Sequence, residues 1–360
     1  MRSFPAVFAA ISLSAIPQLS HAEVSGDYHY TDTGSSIRID RYTNRAKTGT
    51  LVIPSTIAGK PVTVIGESAF ELCSRITAVT IPAGVTTVET YAFEDCSSLT
   101  SVQFPEGLTT LGEDAFSSCW KLKTVRLPST LTTAAYAFGG SDGNLQNVTF
   151  APGATVIPEG VLNGCDSLTS VTIPTSVKRI EKHAFGYCEK LSTIKLPSGL
   201  TEIGAGAFEG CPISKISFPS SLTIIGDRAF RSTLLSRLTF PPSLVQFGSY
   251  SFAGCKQLTT VIYTGEAPPL SFALFDGGSP DLTLFAEKGA SGIPVPYWEK
   301  YRSSWPAPEI TIKTLDGKSI QSKKTINLGK NYVGRKAPFQ KAIITNTGIR
   351  PLTGLRISSS

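Results

Sequence analysis

The cysteines of this chain are placed with unusual regularity. Each of the seven lies three residues after a Phe or Leu, and these Phe and Leu positions belong to a series that recurs every 22–24 residues. A period this constant predicts a solenoid, in which each repeat, here called a rung, packs only on its neighbours. The ten positions of the series, here called the ladder, are Phe70, Phe93, Phe116, Phe138, Leu162, Phe185, Phe208, Phe230, Phe252 and Phe275.

The cysteines themselves are predicted to form a buried column. An odd number of them would leave one thiol over in a disulfide framework, and a chain of 360 residues does not need disulfides to replace a core. Stacked rungs lie about 4.8 Å apart, so the Cβ atoms of neighbouring cysteines would be farther apart than the about 3.8 Å that a disulfide prefers. The sequence contains no C-x-x-C pair, so the cysteine spacing does not indicate a metal site. The seven are Cys73, Cys96, Cys119, Cys165, Cys188, Cys211 and Cys255.

Within a repeat, apolar residues alternate and are then followed by proline. The segment 99–105 has the L-x-x-L-x-L spacing of leucine-rich repeats and ends at Pro105, which indicates a short strand with alternate residues facing the core. A second block, such as Leu200 to Gly204, buries two aliphatic residues and closes with a Gly that we expect to permit a sharp bend. The Ala-Phe pair that follows is expected on a short helical turn.

This repeat resembles the BspA-like group of leucine-rich repeats, found in surface proteins of bacteria and some parasitic protists. The segment Ile225-Gly226-Asp227-Arg228-Ala229-Phe230 is similar to the group's I-G-x-x-A-F motif. The resemblance extends to an entry rung at 52–62 and a closing rung and cap at 261–298, and it covers residues 23–305. It implies a solenoid of about ten rungs with one short parallel strand in each. It carries over no catalytic residue.

The two ends of the chain have other signatures. Residues 1–22 combine Arg2, an apolar run and Ser20-His21-Ala22, which predicts a secretory signal peptide cleaved after Ala22. No later stretch reaches 18 apolar residues, so membrane embedding is not expected. Residues 306–360 resemble the start of a Hydin-like or choice-of-anchor immunoglobulin-fold module. Because such a sandwich needs about 100 residues, we expect a truncated β-sandwich segment of a longer protein.

Little in the sequence indicates chemistry. His29 and His183 stand alone, without a nucleophile or metal-binding motif, and His183 is expected to be a solvated turn residue. The loop from Gly139 to Asn144 allows a Ca²⁺ site, although a turn explains its glycines more simply. We therefore expect no enzyme, cofactor or metal in this segment. A net charge of +6 without a long basic run disfavours nucleic acid as a partner.

The outward residues of the predicted strands form a surface rich in Ser and Thr, with cations toward its C-terminal half. We interpret this surface as the site where a secreted or cell-surface module recognises an extracellular protein or glycan. Alternatively, Thr suits strands and cations keep a sheet soluble, and the chain is a passive spacer; a catalytic domain beyond residue 360 is a third possibility. The candidate ligand-binding residues are Arg126, Lys195, Lys215 and Arg237.

Overall fold

A computed structural model of the chain describes residues 22–134, 136–139, 144–265 and 273–286. These residues form a β-solenoid of about ten rungs, which confirms the predicted architecture. Each full rung has three sides. One side carries the predicted strand, a second carries a two-residue strand, and the third carries the Ala-Phe turn.

The N-terminal end is closed by an antiparallel sheet. It consists of β1 (Ala22–Ser25), β2 (Tyr28–Asp32) and β3 (Ile37–Tyr42), and β3 then pairs in parallel with the first rung. The ring of Tyr42 stacks on Phe70 with centroids 5.3 Å apart. This sheet therefore covers the end of the apolar core that a solenoid would otherwise expose.

The predicted strands form the main sheet, which is divided into three blocks of parallel strands. Pairing is absent between the first and second blocks, and two further rungs without strands separate the second from the third. The blocks are β4 (Gly49–Val52), β7 (Ile76–Thr80) and β9 (Ser101–Gln103); β11 (Thr124–Leu127), β13 (Asn147–Phe150) and β15 (Ser170–Thr172); and β19 (Arg237–Phe240), β21 (Thr260–Tyr263) and β22 (Thr283–Ala286).

A second parallel sheet, absent from the sequence interpretation, runs along the adjacent side of the rungs. It is built from the short blocks that precede the Ala-Phe turns, in two groups that do not pair with each other. Its first strand, β6 (Lys60–Ile65), pairs with β3 and also forms a small hairpin with β5 (Thr56–Ile57). Its strands are β6 (Lys60–Ile65), β8 (Thr87–Val88), β10 (Thr110–Leu111) and β12 (Thr133–Ala134), then β14 (Val156–Ile157), β16 (Arg179–Ile180), β17 (Glu202–Ile203), β18 (Ile224–Ile225) and β20 (Gln246–Phe247).

The third side differs from the expected helical turn, since the described residues contain no helix. The Ala-Phe segments instead form consecutive turns closed between residues i and i+3, as where Ala69 N–H donates to Gly66 O and Cys73 N–H donates to Phe70 O. The ladder N–H also donates to the next rung, as from Phe70 to Ala92 O at 2.7 Å. The turns thus supply a third set of hydrogen bonds between rungs.

The ladder side chains fill the centre of the coil. Phe70, Phe93, Phe116 and Phe138 stack in succession with centroids 4.9–5.4 Å apart. The ring series is interrupted at Leu162 and resumes at Phe185. Because offset and near-parallel aromatic pairs add to the gain from burial, the ladder is a main source of stability. The predicted core positions are confirmed in all the ladder residues, which are at most 6% exposed.

The glycine that closes the second block is required for a reason other than the expected bend. A Cβ on Gly226 would lie 2.6 Å from the backbone nitrogen of Ala205 in the preceding rung, and one on Gly248 would lie 2.1 Å from that of Asp227. These distances are shorter than van der Waals contact. Glycine at this position therefore permits neighbouring rungs to approach closely.

Candidate functional site

The outward side of the main sheet, here called the sheet face, is the candidate binding surface. Along β11, β13 and β19 outward residues are exposed and inward residues are buried, in strict alternation. The prediction is wrong at Ile262, which was expected to face outward but is only 3% exposed. Ile262 lies in β21, where three consecutive residues are buried, so the alternation of exposed and buried residues does not hold in this strand.

The four candidate cations are all exposed on this face, but they do not form one group. Arg126 lies in β11 and forms an ion pair with Glu106, with Nη1 and Oε1 3.6 Å apart. Lys195, Lys215 and Arg237 lie in three consecutive rungs farther along the chain. Among the described residues, no carboxylate pairs with any of these three. Their charges are therefore available to a ligand.

Two of these cations lie where the main sheet is open. Residues 193–196 and 215–218 occupy the strand position of their rungs but pair with neither neighbour, so three successive rung interfaces between β15 and β19 lack strand pairing. The inward residues Ile194 and Ile216 are half-buried, as are Val102 and Val171 in the paired strands β9 and β15, so the missing pairing rather than the burial distinguishes these rungs. We call residues 193–196 and 215–218 the open segment.

The cysteine column is buried, as predicted, and its thiols make hydrogen bonds that repeat from rung to rung. All seven thiols are free and buried. From the second cysteine onward, each thiol lies within hydrogen-bond distance of the ladder carbonyl of the preceding rung, for example Cys211 Sγ 2.9 Å from Phe185 O. Burial raises the pKa of Cys119 and of Cys165 to about 12. These thiols are therefore neutral and serve the stacking of rungs.

The third side of the rungs, which carries the Ala-Phe turns, has a polar cluster that spans three rungs. Glu209 is 4% exposed and its Oε1 accepts a hydrogen bond from Arg231 Nη1 at 2.9 Å. Tyr187, in the rung before, is half-exposed, and its pKa is raised by partial burial and by the neighbouring Glu209 carboxylate. A buried carboxylate needs a partner, and the Glu209–Arg231 ion pair, here called the clamp, therefore links two neighbouring rungs.

His183 differs from its predicted role as a solvated turn residue. It adopts a left-handed conformation with φ of 52°, as a turn requires, but it is only half-exposed. Its Nδ1 is buried without a hydrogen-bond partner, and a Cβ on Gly206 would lie 2.3 Å from that atom. The imidazole ring therefore packs against the glycine of the next rung.

Other sequence predictions concern residues outside the described ranges. These are the leader before Ala22, most of the Gly139 to Asn144 loop considered for Ca²⁺, and the tail from 306 to 360. Within the described ranges, no group of three or more His, Cys, Asp or Glu side chains is placed to hold a metal ion. In that same part of the chain, no helix has the length and hydrophobicity needed to cross a bilayer.

Comparison with known proteins agrees with this architecture. Residues 36–166 and 155–278 match the BspA type leucine rich repeat region, in six copies. A leucine-rich repeat protein from Bacteroides ovatus is 26% identical, with a TM-score of 0.60 over 75% of this chain and 72% of that one. A leucine rich cell surface protein from Faecalibacterium prausnitzii is 24% identical, with a TM-score of 0.49 over 75% and 76% of the two chains. No curated protein matches the chain.

Proposed function

The chain belongs to the BspA type leucine rich repeat family, and we propose that it is a non-catalytic recognition module that binds an extracellular protein or glycan through the sheet face. The observation that carries this proposal is the group of three exposed cations, Lys195, Lys215 and Arg237, which have no acidic partner among the described residues. Unpaired charges on an accessible surface increase the rate of encounter with a complementary partner and contribute to specificity.

The proposed location is the cell surface or the extracellular space. Its support is the signal peptide predicted at residues 1–22. The resemblance of residues 306–360 to an immunoglobulin-like module supports the second candidate, a spacer that holds other domains away from the surface. The two functions differ in whether the sheet face contacts a ligand.

The buried thiols make a direct test feasible. Because the seven described cysteines are buried, a cysteine introduced at exposed Thr172 on the sheet face would be the site that maleimide–polyethylene glycol labels in the folded chain. The matched control is a cysteine at exposed Lys178, in the second sheet side of the same rung. The labelled full-length proteins and the unlabelled protein are then applied to an array of extracellular-matrix proteins and glycans.

We expect the polymer at Thr172 to abolish binding to the array ligand and the polymer at Lys178 to leave it intact. Equal loss from both positions would place the site away from the sheet face. Absence of binding by the unlabelled protein would refute recognition for the ligands tested and favour the spacer.

A further inference from the structure

We propose that the ligand of the sheet face is an acidic polysaccharide and that it binds across the open segment, an inference that rests on the proposed function of this face. The polysaccharide would carry carboxylate or sulfate groups at regular intervals. Three features of the described residues support this: unpaired like charges, missing strand pairing at the same place, and the absence of exposed apolar side chains there.

The first feature is the unfavourable arrangement of charge. Lys215 and Arg237 each lie seven residues after their ladder Phe, so they occupy the same outward position in adjacent rungs. Lys195 lies in the rung before Lys215, displaced by two residues along the strand direction. Like charges on neighbouring strand positions repel, and none of the ion pairs among the described residues includes these three cations. A repeating anion is the ligand that would convert this repulsion into attraction.

The second feature is the lack of strand pairing at these rungs. Pairing stops after β15 and begins again only with β19, and residues 193–196 and 215–218 lie between them. Backbone N–H groups that do not enter a strand ladder remain available as donors, and they favour an acceptor-rich ligand. The open segment therefore combines backbone donors that enter no strand ladder with side-chain cations.

The third feature is the polarity of the face. From β11 to β21, its exposed outward positions are occupied by Ser, Thr, Asn, Lys and Arg, and the exposed large hydrophobic side chains lie elsewhere. Protein interfaces are centred on buried Trp, Tyr and Arg anchors. Between β11 and β21 the face has cations and hydroxyl groups but no exposed aromatic or aliphatic anchor, whereas exposed Val52 lies in β4 at its N-terminal end. The chemistry thus favours a hydrated polyanion over a protein surface.

The test measures binding of the full-length protein to four fluorescent polymers: heparin, polygalacturonate, neutral dextran and polyglutamate. We expect binding to heparin or polygalacturonate and none to dextran. The logarithm of the association constant should fall with the logarithm of salt concentration with a slope of about −2 to −3, since about one counterion is released per cation neutralised. Changing Lys195, Lys215 and Arg237 together to Glu should weaken binding by more than about 50-fold, because each surface cation contributes roughly a factor of five.

The matched control reverses three exposed cations away from the sheet face, with Lys178→Glu, Arg228→Glu and Lys256→Glu. It changes the net charge by the same amount, so it should bind nearly as well as the unaltered protein. Equal weakening in both triple variants would overturn the assignment to the open segment. Stronger binding to polyglutamate than to both acidic polysaccharides would overturn the polysaccharide assignment.

Hydrogen exchange provides a second readout on the folded protein. Amides of residues 193–196 and 215–218 should exchange rapidly without ligand and slow by at least about tenfold with heparin or polygalacturonate, whereas those of β13 should be slow in both states. Unchanged exchange in the open segment on binding would refute the proposed location. If no acidic polysaccharide binds but the polymer at Thr172 still blocks an array ligand, the polysaccharide proposal fails and recognition by the sheet face stands.

Discussion

Replacing Phe208 by Ala tests how the ladder stabilises the solenoid. Phe208 is fully buried, and its ring stacks on Phe185 and on Phe230 with centroid distances of 5.2 and 5.3 Å. Truncation to Ala removes the buried ring, leaves a cavity, and eliminates both stacked pairs. Buried Phe→Ala changes cost about 3–5 kcal/mol, and we expect the upper half of that range because each stacked pair adds about 0.5–1.5 kcal/mol.

The matched control is Phe208→Leu, since Leu162 occupies the same position in the rung where the ring series is interrupted. We expect it to cost less than half as much as the Ala variant, because a Leu side chain refills most of the space. Urea unfolding followed by circular dichroism gives the total loss, and hydrogen exchange shows whether the loss is confined to the adjacent rungs, as nearest-neighbour stacking requires. A cost below about 1.5 kcal/mol for Phe208→Ala, or equal costs for both variants, would refute the reasoning.

Three further predictions concern the cysteine column, the clamp and the glycine contact. The thiols of Cys119 and Cys165, whose pKa is raised to about 12, should resist a thiol reagent at pH 8 until urea unfolds the chain. The free energy of unfolding should also fall as pH rises above 9, because these thiols ionise at lower pH in the unfolded chain than in the folded one. Arg231→Ala should lower stability in urea by about 3 kcal/mol, because it leaves the buried Glu209 carboxylate without its partner, and an effect within 0.5 kcal/mol would contradict the clamp. Gly226→Ala should destabilise by about 1–3 kcal/mol through contact with the preceding rung, and thermal unfolding above the wild-type midpoint would exclude that contact.

The sequence was sufficient to predict the repeat and the core, because each depends on a pattern that all rungs share. The ladder positions and the cysteine column recur at constant spacing, so burial of Phe208 or of Cys211 follows from the period itself. The outward cations also follow from strand alternation, which holds in β11 and β19. What is common to every rung is therefore what a single sequence reveals best.

Features that depend on contact between rungs were not predictable in the same way. The two-residue strands of the second sheet are too short for alternation to identify, and the close approach at Gly226 is invisible without the neighbouring backbone. The open segment has no consistent sequence signal either. The rung of Phe208 has one residue fewer before its first outward position, but so does the rung of Phe230, whose strand β19 is paired, and the rung of Phe185 is not shortened.

The three sides of the solenoid explain how an open segment can coexist with a stable core. Where the main sheet lacks pairing between β15 and β19, the second sheet continues through β16, β17, β18 and β20, and the Ala-Phe turns remain hydrogen-bonded from rung to rung. Where the second sheet is interrupted between β12 and β14, the main sheet is paired between β11 and β13. Each gap is thus bridged by the sides that remain. Because stability in a repeat array is approximately the sum of the repeats' own stabilities and the contacts between neighbours, the sheet face can leave strand positions unpaired and cations exposed without separating the rungs. Under the proposed function, a ligand at the open segment would add contacts on the side that lacks strand pairing.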